Sequence, residues 1–153
     1  MAFTFRFAKL LAHRRHQLRE AQVALARAVE QAAQAERRLA ETQEALESYQ
    51  LRWQERARDG LSLGEHLAFQ RYFAVLEQQL LRLKAMRDTA RRHVREKQKL
   101  LLEKDREVKK LERLQEVDYE KFRWHQKKRE QKKLDELAVR SFDGDLTAPG
   151  LPP

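Results

Sequence analysis

The chain has no cysteine. That excludes a disulfide framework and thiolate metal sites, and it fits a reducing compartment. Proline and glycine are nearly confined to two places. All three prolines (Pro149, Pro152, Pro153) lie at the C-terminus, and the four glycines are Gly60, Gly64, Gly144 and Gly150. Nothing in the long stretches between them would break or kink a helix. Aromatic residues are only 8%, against 37% charged, so a large globular core is not expected. No stretch approaches the ~18 uncharged residues that a membrane-spanning helix needs. The start, Met1-Ala-Phe-Thr-Phe-Arg-Phe7, lacks the basic-then-apolar pattern of a secretory signal. The expected location is the cytoplasm.

What is present is a helical composition. Ala, Leu, Glu, Lys, Arg and Gln dominate the 153 residues, the mixture of coiled coils and long helices. The pattern is interrupted once in roughly 130 residues, at Asp59-Gly60-Leu61-Ser62-Leu63-Gly64-Glu65. Ser62 followed by Glu65 reads as a capping box, in which the serine hydroxyl accepts from the Glu65 N–H and the glutamate reaches back to the Ser62 N–H. Gly60 stands where the preceding helix needs a residue of positive φ to stop. A connection this short turns neighbouring helices back on each other. The predicted fold is all-α: an antiparallel coiled-coil hairpin with a first helix from about residue 7 to 58, a turn at 59–62, and a longer second helix from about 62 to 140. Residues 141–153, rich first in Asp and then in Pro, are expected to form a disordered tail.

The first helix keeps a seven-residue period. Leu11, Leu18, Leu25, Ala32, Leu39, Leu46 and Trp53 occupy one heptad position, and Ala21, Ala28, Ala35, Thr42 and Tyr49 occupy the one three residues on. Such a seam allows close approach of a partner helix but buries little surface. The second helix carries Phe69, Tyr72, Phe73, Leu76, Leu80, Leu83, Ala90, Val94, Leu101, Val108, Leu111 and Phe122, interrupted by Lys97 and Lys104, which points to modest stability. Folding about Gly60 brings Trp53 to Phe69, Leu39 to Leu80 and Leu83, Leu25 to Val94, and Leu11 to Leu111. At the helical rise the first helix would be about 80 Å long and the second about 115 Å.

Before the first helix, Phe3, Phe5 and Phe7 alternate with other residues as in a strand. No second strand exists to pair with them, so they read as an apolar lead-in. On this register the first helix is exhausted opposite residue 115 or so. Residues 116–140 then lack an intrachain partner, although Tyr119, Phe122, Trp124, Leu134 and Leu137 are large and apolar. They mark either a contact site for another protein, a frayed end or an overlap for self-association.

Charge is uneven. Residues 82–110 hold twelve Lys and Arg against five Asp and Glu, and residues 121–133 hold seven against Glu130. Such blocks allow phosphate contacts, but the charges spread around the helix and no zinc module, aromatic platform or helix-turn-helix spacing accompanies them. No nucleic acid is expected as a partner. The histidines (His13, His16, His66, His93, His125) form no His-Glu-x-x-His pair. No glycine-rich phosphate loop occurs, and a two-helix hairpin offers no enclosed pocket in which to tune a pKa. The expectation is a non-enzyme with no catalytic residue, no metal, no cofactor and no direct small-molecule ligand.

Four segments carry a family resemblance. Near the start is Phe5-Arg6-Phe7-x-Lys9-Leu10-Leu11-x-x-Arg14. After the break comes Phe69-Gln70-x-Tyr72-Phe73-x-x-Leu76-Glu77. Toward the end are Lys109-Lys110-Leu111-Glu112-Arg113-Leu114 and Gln131-Lys132-Lys133-Leu134-Asp135-Glu136-Leu137-Ala138-x-Arg140-Ser141-Phe142. In order, spacing and length, over about residues 3–142, the chain resembles the flagellar export protein FliJ family.

The resemblance implies a soluble component of the flagellar type III export apparatus, peripherally associated with the inner-membrane machinery. It implies an antiparallel coiled coil similar to the central stalk of rotary ATPases. Such a stalk inserts into the export ATPase hexamer, promotes assembly of that ring, links it to the membrane export gate protein and handles unloaded export chaperones. On that reading Phe122, Arg123, Lys127, Lys128, Arg129, Lys132 and Lys133 would meet the ATPase ring. Phe69, Tyr72, Phe73 and Leu76 would face the gate, or would close the hairpin tip against Tyr49 and Trp53. A basic coiled-coil scaffold, a nucleic-acid-associated protein and the equivalent stalk of a virulence secretion system remain as alternatives. Self-association is left open.

Overall fold

The computed structural model describes residues 2–146. Two helices account for nearly all of them, α1 (Ala8–Asp59, 52 residues) and α2 (Leu63–Leu146, 84 residues). No strand occurs among the described residues. The chain divides into two units, Arg15–Arg106 and a second made of the residues on either side of that span.

Residues 15–106 contain the turn. Gly60 adopts φ 92°, a left-handed conformation that a side chain disfavours. Its N–H donates to Ala57 O at 3.4 Å. The Glu65 N–H donates to Ser62 Oγ at 3.2 Å, and the His66 N–H donates to Ser62 O at 3.0 Å. Ser62 is therefore the N-cap of α2. Only the serine half of the expected box forms among the described residues. The Glu65 carboxylate instead reaches across the turn to Arg56 Nη2 at 3.7 Å. A Cβ added at Gly60 meets nothing within 4 Å, so the cost of a side chain there is conformational and not steric. Gly60→Val is expected to lower stability by about 1–2 kcal/mol. Gly64→Ala, at an equally open helical position, is expected to leave stability unchanged or raise it slightly. Thermal unfolding followed by far-UV circular dichroism separates the two.

The helices of this unit run antiparallel. Glu36 pairs with Arg91 and Arg56 with Glu65, so positions advancing along α1 meet positions receding along α2. Ala21, Ala28, Leu39 and Leu76 are buried between them. Leu18, Leu25, Ala32, Ala35, Leu46, Leu80, Leu83, Ala90 and Val94 line the same seam half-buried. Lys97 and Lys104 also occupy it half-buried, an arrangement that suits lysine because its methylene stem can pack while the amine stays wet. No described side chain falls below 2% exposure. Stabilisation is thus spread thinly along the seam, at about 25 cal/mol per Å² of apolar surface removed from water.

The second unit pairs the N-terminal residues with α2 beyond residue 106. Leu11 and Val108 are buried, and Arg14 Nη1 lies 3.2 Å from Glu107 Oε2. Ahead of α1 the lead-in is neither strand nor helix. Phe5 is buried at 5% exposure, and its carbonyl accepts from the Ala8 N–H at 3.2 Å. Arg6 Nε meets Asp118 Oδ2 at 3.3 Å. The Phe3 ring packs on Tyr119 at 5.3 Å between centroids and on Phe122 at 5.5 Å. This corrects the length argument: Tyr119 and Phe122 have an intrachain partner, and pairing reaches residue 122 instead of stopping near 115. The reason is geometric. Non-helical chain advances up to about 3.3 Å per residue and helix only about 1.5 Å, so the lead-in covers about twice as many α2 residues as its own length suggests.

The C-terminal boundary also differs. α2 continues through Leu146, past residue 140. Ser141 Oγ donates to Ala138 O at 2.9 Å, which satisfies its hydroxyl inside the helix. Residues 147–153 of the expected tail lie outside the described residues.

Candidate partner-binding surfaces

The aromatic stretch after the turn folds onto α1. The Trp53 and Phe69 rings are parallel, 1° apart in plane at 6.0 Å, and Phe73 meets Trp53 at 6.1 Å and 60°. Tyr49 contacts Phe69 at 5.2 Å and Tyr72 at 4.4 Å, while His66 lies 5.5 Å from Trp53. Partial burial, and then the neighbouring Tyr72 phenol, push the Tyr49 pKa above its ordinary value. The expected approach of Trp53 to Phe69 is met. Of the four residues assigned to the gate, Leu76 is buried, Phe69 and Phe73 are half-buried against α1, and Tyr72 alone is exposed.

Another apolar face of this region lies outside the heptad pattern. Leu63, Leu67 and Leu81 are 76%, 44% and 67% exposed. With Ala74 they recur at steps of four and seven, and so share one face of α2 away from the seam. That phase offset was the available signal. A heptad search collects the residues that pack between helices and passes over apolar residues on the outer face.

Along the last stretch of α2 every residue from Arg123 to Gly144 except Gln126 is exposed. Phe122 is held half-buried against Phe3, whereas Arg123, Lys127, Lys128, Arg129, Lys132 and Lys133 all stand in solvent. Lys128 Nζ sits 3.8 Å above the Trp124 ring, a cation–π contact. Trp124, Leu134, Leu137, Val139 and Phe142 are each more than half exposed. This section therefore combines fixed positive charge with bare apolar side chains. Such a surface suits a partner carrying carboxylates and apolar grooves.

Other chemistry is sparse. His16 lies 3.0 Å from Glu20 and His93 3.9 Å from Glu96, each an exposed pair on a single helix. No group of three His, Cys, Asp or Glu that could hold a metal occurs among the described residues. The depressions between the helices, such as the one lined by Val29, Ala33, Glu36, Arg91 and Val94, are open to solvent. Among the described residues no helix is long and apolar enough to cross a membrane.

The family described as flagellar FliJ protein matches residues 3–145. The flagellar FliJ protein of Bacillus subtilis (strain 168) is 25% identical over 142 residues, which cover 93% of this chain and 97% of that protein. No solved structure matches the chain. With the match running through the lead-in, the turn and the exposed end of α2, the chain belongs to the FliJ family, non-enzymatic components of flagellar protein export.

Proposed function

We propose that the chain is a stalk-like component of the flagellar type III export apparatus that docks the exposed end of α2 in the export ATPase hexamer. There it promotes ring assembly and ATP hydrolysis. It couples the ring to the membrane export gate protein and to unloaded export chaperones, and is held peripherally at the inner-membrane machinery. The observation that carries this reading is the section beyond Phe122. It has a single helical layer, and the six cations of its first half (Arg123, Lys127, Lys128, Arg129, Lys132, Lys133) are all exposed. A helix about 10 Å across with its side chains is narrow enough to enter a ring, and exposed cations attract a carboxylate-lined wall over the screening length of about 10 Å. For the gate, Tyr72 and the outer-face leucines Leu63, Leu67 and Leu81 supply apolar contact area that the hairpin itself leaves unused.

The test is the ATP hydrolysis rate of the cognate export ATPase as this protein is titrated in. The expected result is a saturable rise near one chain per ring that disappears when residues 123–146 are deleted. The shortened chain keeps the Phe3–Tyr119 and Phe3–Phe122 contacts, so its helical content per residue should persist. A rate unchanged at every ratio would overturn the reading.

A further inference from the structure

The exposed end of α2 carries opposite charge in its two halves. Residues 123–133 hold six Lys and Arg against Glu130, net +5, and residues 134–143 hold Asp135, Glu136 and Asp143 against Arg140, net −2. Both halves are exposed. An apolar stripe runs across the change of sign: Trp124, Leu134 and Phe142 are 54%, 65% and 66% exposed. With Gln131 and Ala138 they recur at steps of seven, three, four and four, which keeps them on one face of the helix.

We infer that this face binds a second copy of the chain, the two ends of α2 lying antiparallel about a two-fold axis near Lys133 and Leu134. The charge pattern selects the occupant and its direction. A parallel partner would stack the +5 half on its own copy. An antiparallel one sets each basic half beside the acidic half of the other, the pairing that e and g charges impose in coiled coils. The same axis brings Trp124 of one copy to Phe142 of the other, twice, and the two Leu134 side chains together at the centre. An isologous contact of this kind closes on itself, so the product is a dimer and not a fibre. The face overlaps the one assigned above to the ATPase, so the dimer is a resting form that ring entry must open. The dimer itself does not depend on that assignment.

Sedimentation velocity of the full chain tests it, from low micromolar protein to roughly 0.2 mM, where a Kd of that order gives an evident dimer fraction. The expected mass approaches twice the 18.3 kDa of the chain. Leu134→Glu with Leu137→Glu should return it to one chain without loss of helix, since both side chains are more than half exposed. Because the chain has no cysteine, direction can be read by oxidation. Leu134→Cys should link to itself, while Trp124→Cys and Phe142→Cys should link only when mixed. A single-chain mass at every concentration overturns the inference, and so does self-linking of all three variants, the mark of a parallel pair. If the protein stays single while the Leu134/Leu137 variant loses ATPase stimulation, the face belongs to the ATPase alone and the dimer is excluded.

Discussion

Leu39→Ala is expected to destabilise the protein by about 2–3 kcal/mol, the lower part of the range for leucine truncation in a core. Leu39 is 3% exposed, with Leu11 the most buried leucine among the described residues, in a seam whose nearest positions on α1 are the half-buried Ala35, Thr42 and Leu46. Removing its methyl groups both returns apolar surface to water and leaves a gap that a second helix must move to fill. The lower part of the range applies because this core is one seam between two helices, with solvent close on either side, and it can relax. Chemical denaturation should show the midpoint falling while the slope stays constant, since the same surface is exposed on unfolding. Leu134→Ala is the matched comparison. At 65% exposure it should change stability by no more than about 0.5 kcal/mol. Equal losses at the two positions would mean that the helices are not held through this seam.

Reversing the basic section should have the largest effect on function. In the variant with Lys127, Lys128, Arg129, Lys132 and Lys133 all changed to Glu, the concentration giving half-maximal ATPase stimulation is expected to rise at least about 30-fold. Each exposed ion pair contributes about 0.2–1 kcal/mol, so five together amount to about 1–5 kcal/mol, and about 2 kcal/mol is already a factor of about 30. Reversal adds repulsion to that loss. All five side chains stand in solvent, so the melting temperature should move little. Stimulation by the unaltered protein should weaken in about 1 M salt, where the screening length falls to about 3 Å. A variant that stimulates normally would remove charge from the docking account and leave only Trp124 and the leucines.

The hairpin was legible because its punctuation is chemically narrow. A glycine at the end of a long run of helix-forming residues, followed by serine and glutamate at capping distance, has few structural meanings, and Gly60 and Ser62 take the conformations that this pattern requires. The seam was legible because leucine and alanine keep one phase through α1, and the stacking of Trp53 on Phe69 follows from that phase. The family was legible from the order of four short motifs, each weak alone. Counting residue for residue misplaces the end of the lead-in because it assumes that both segments of the pair advance equally. The end of α2 is hidden in the sequence because Ser141, Asp143 and Gly144 are poor helix formers and give no sign that the helix continues over them. The surface residues divide along the same line. Phe69, Phe73 and Leu76 share the seam's phase and turn inward, whereas Tyr72 lies one step off and stays half in solvent. Which macromolecule meets a given exposed face is a property of two surfaces, and one sequence writes only one of them.

The lead-in acts as a ruler with a coarser scale than the helix beside it. One residue inserted between Phe3 and Phe7 would slide the Phe3 ring by about 3.3 Å, more than two α2 residues at the helical rise of about 1.5 Å each. The ring would then miss the niche between Tyr119 and Phe122. The length of a segment with no regular structure therefore sets the point at which the paired chain ends and the single helix begins.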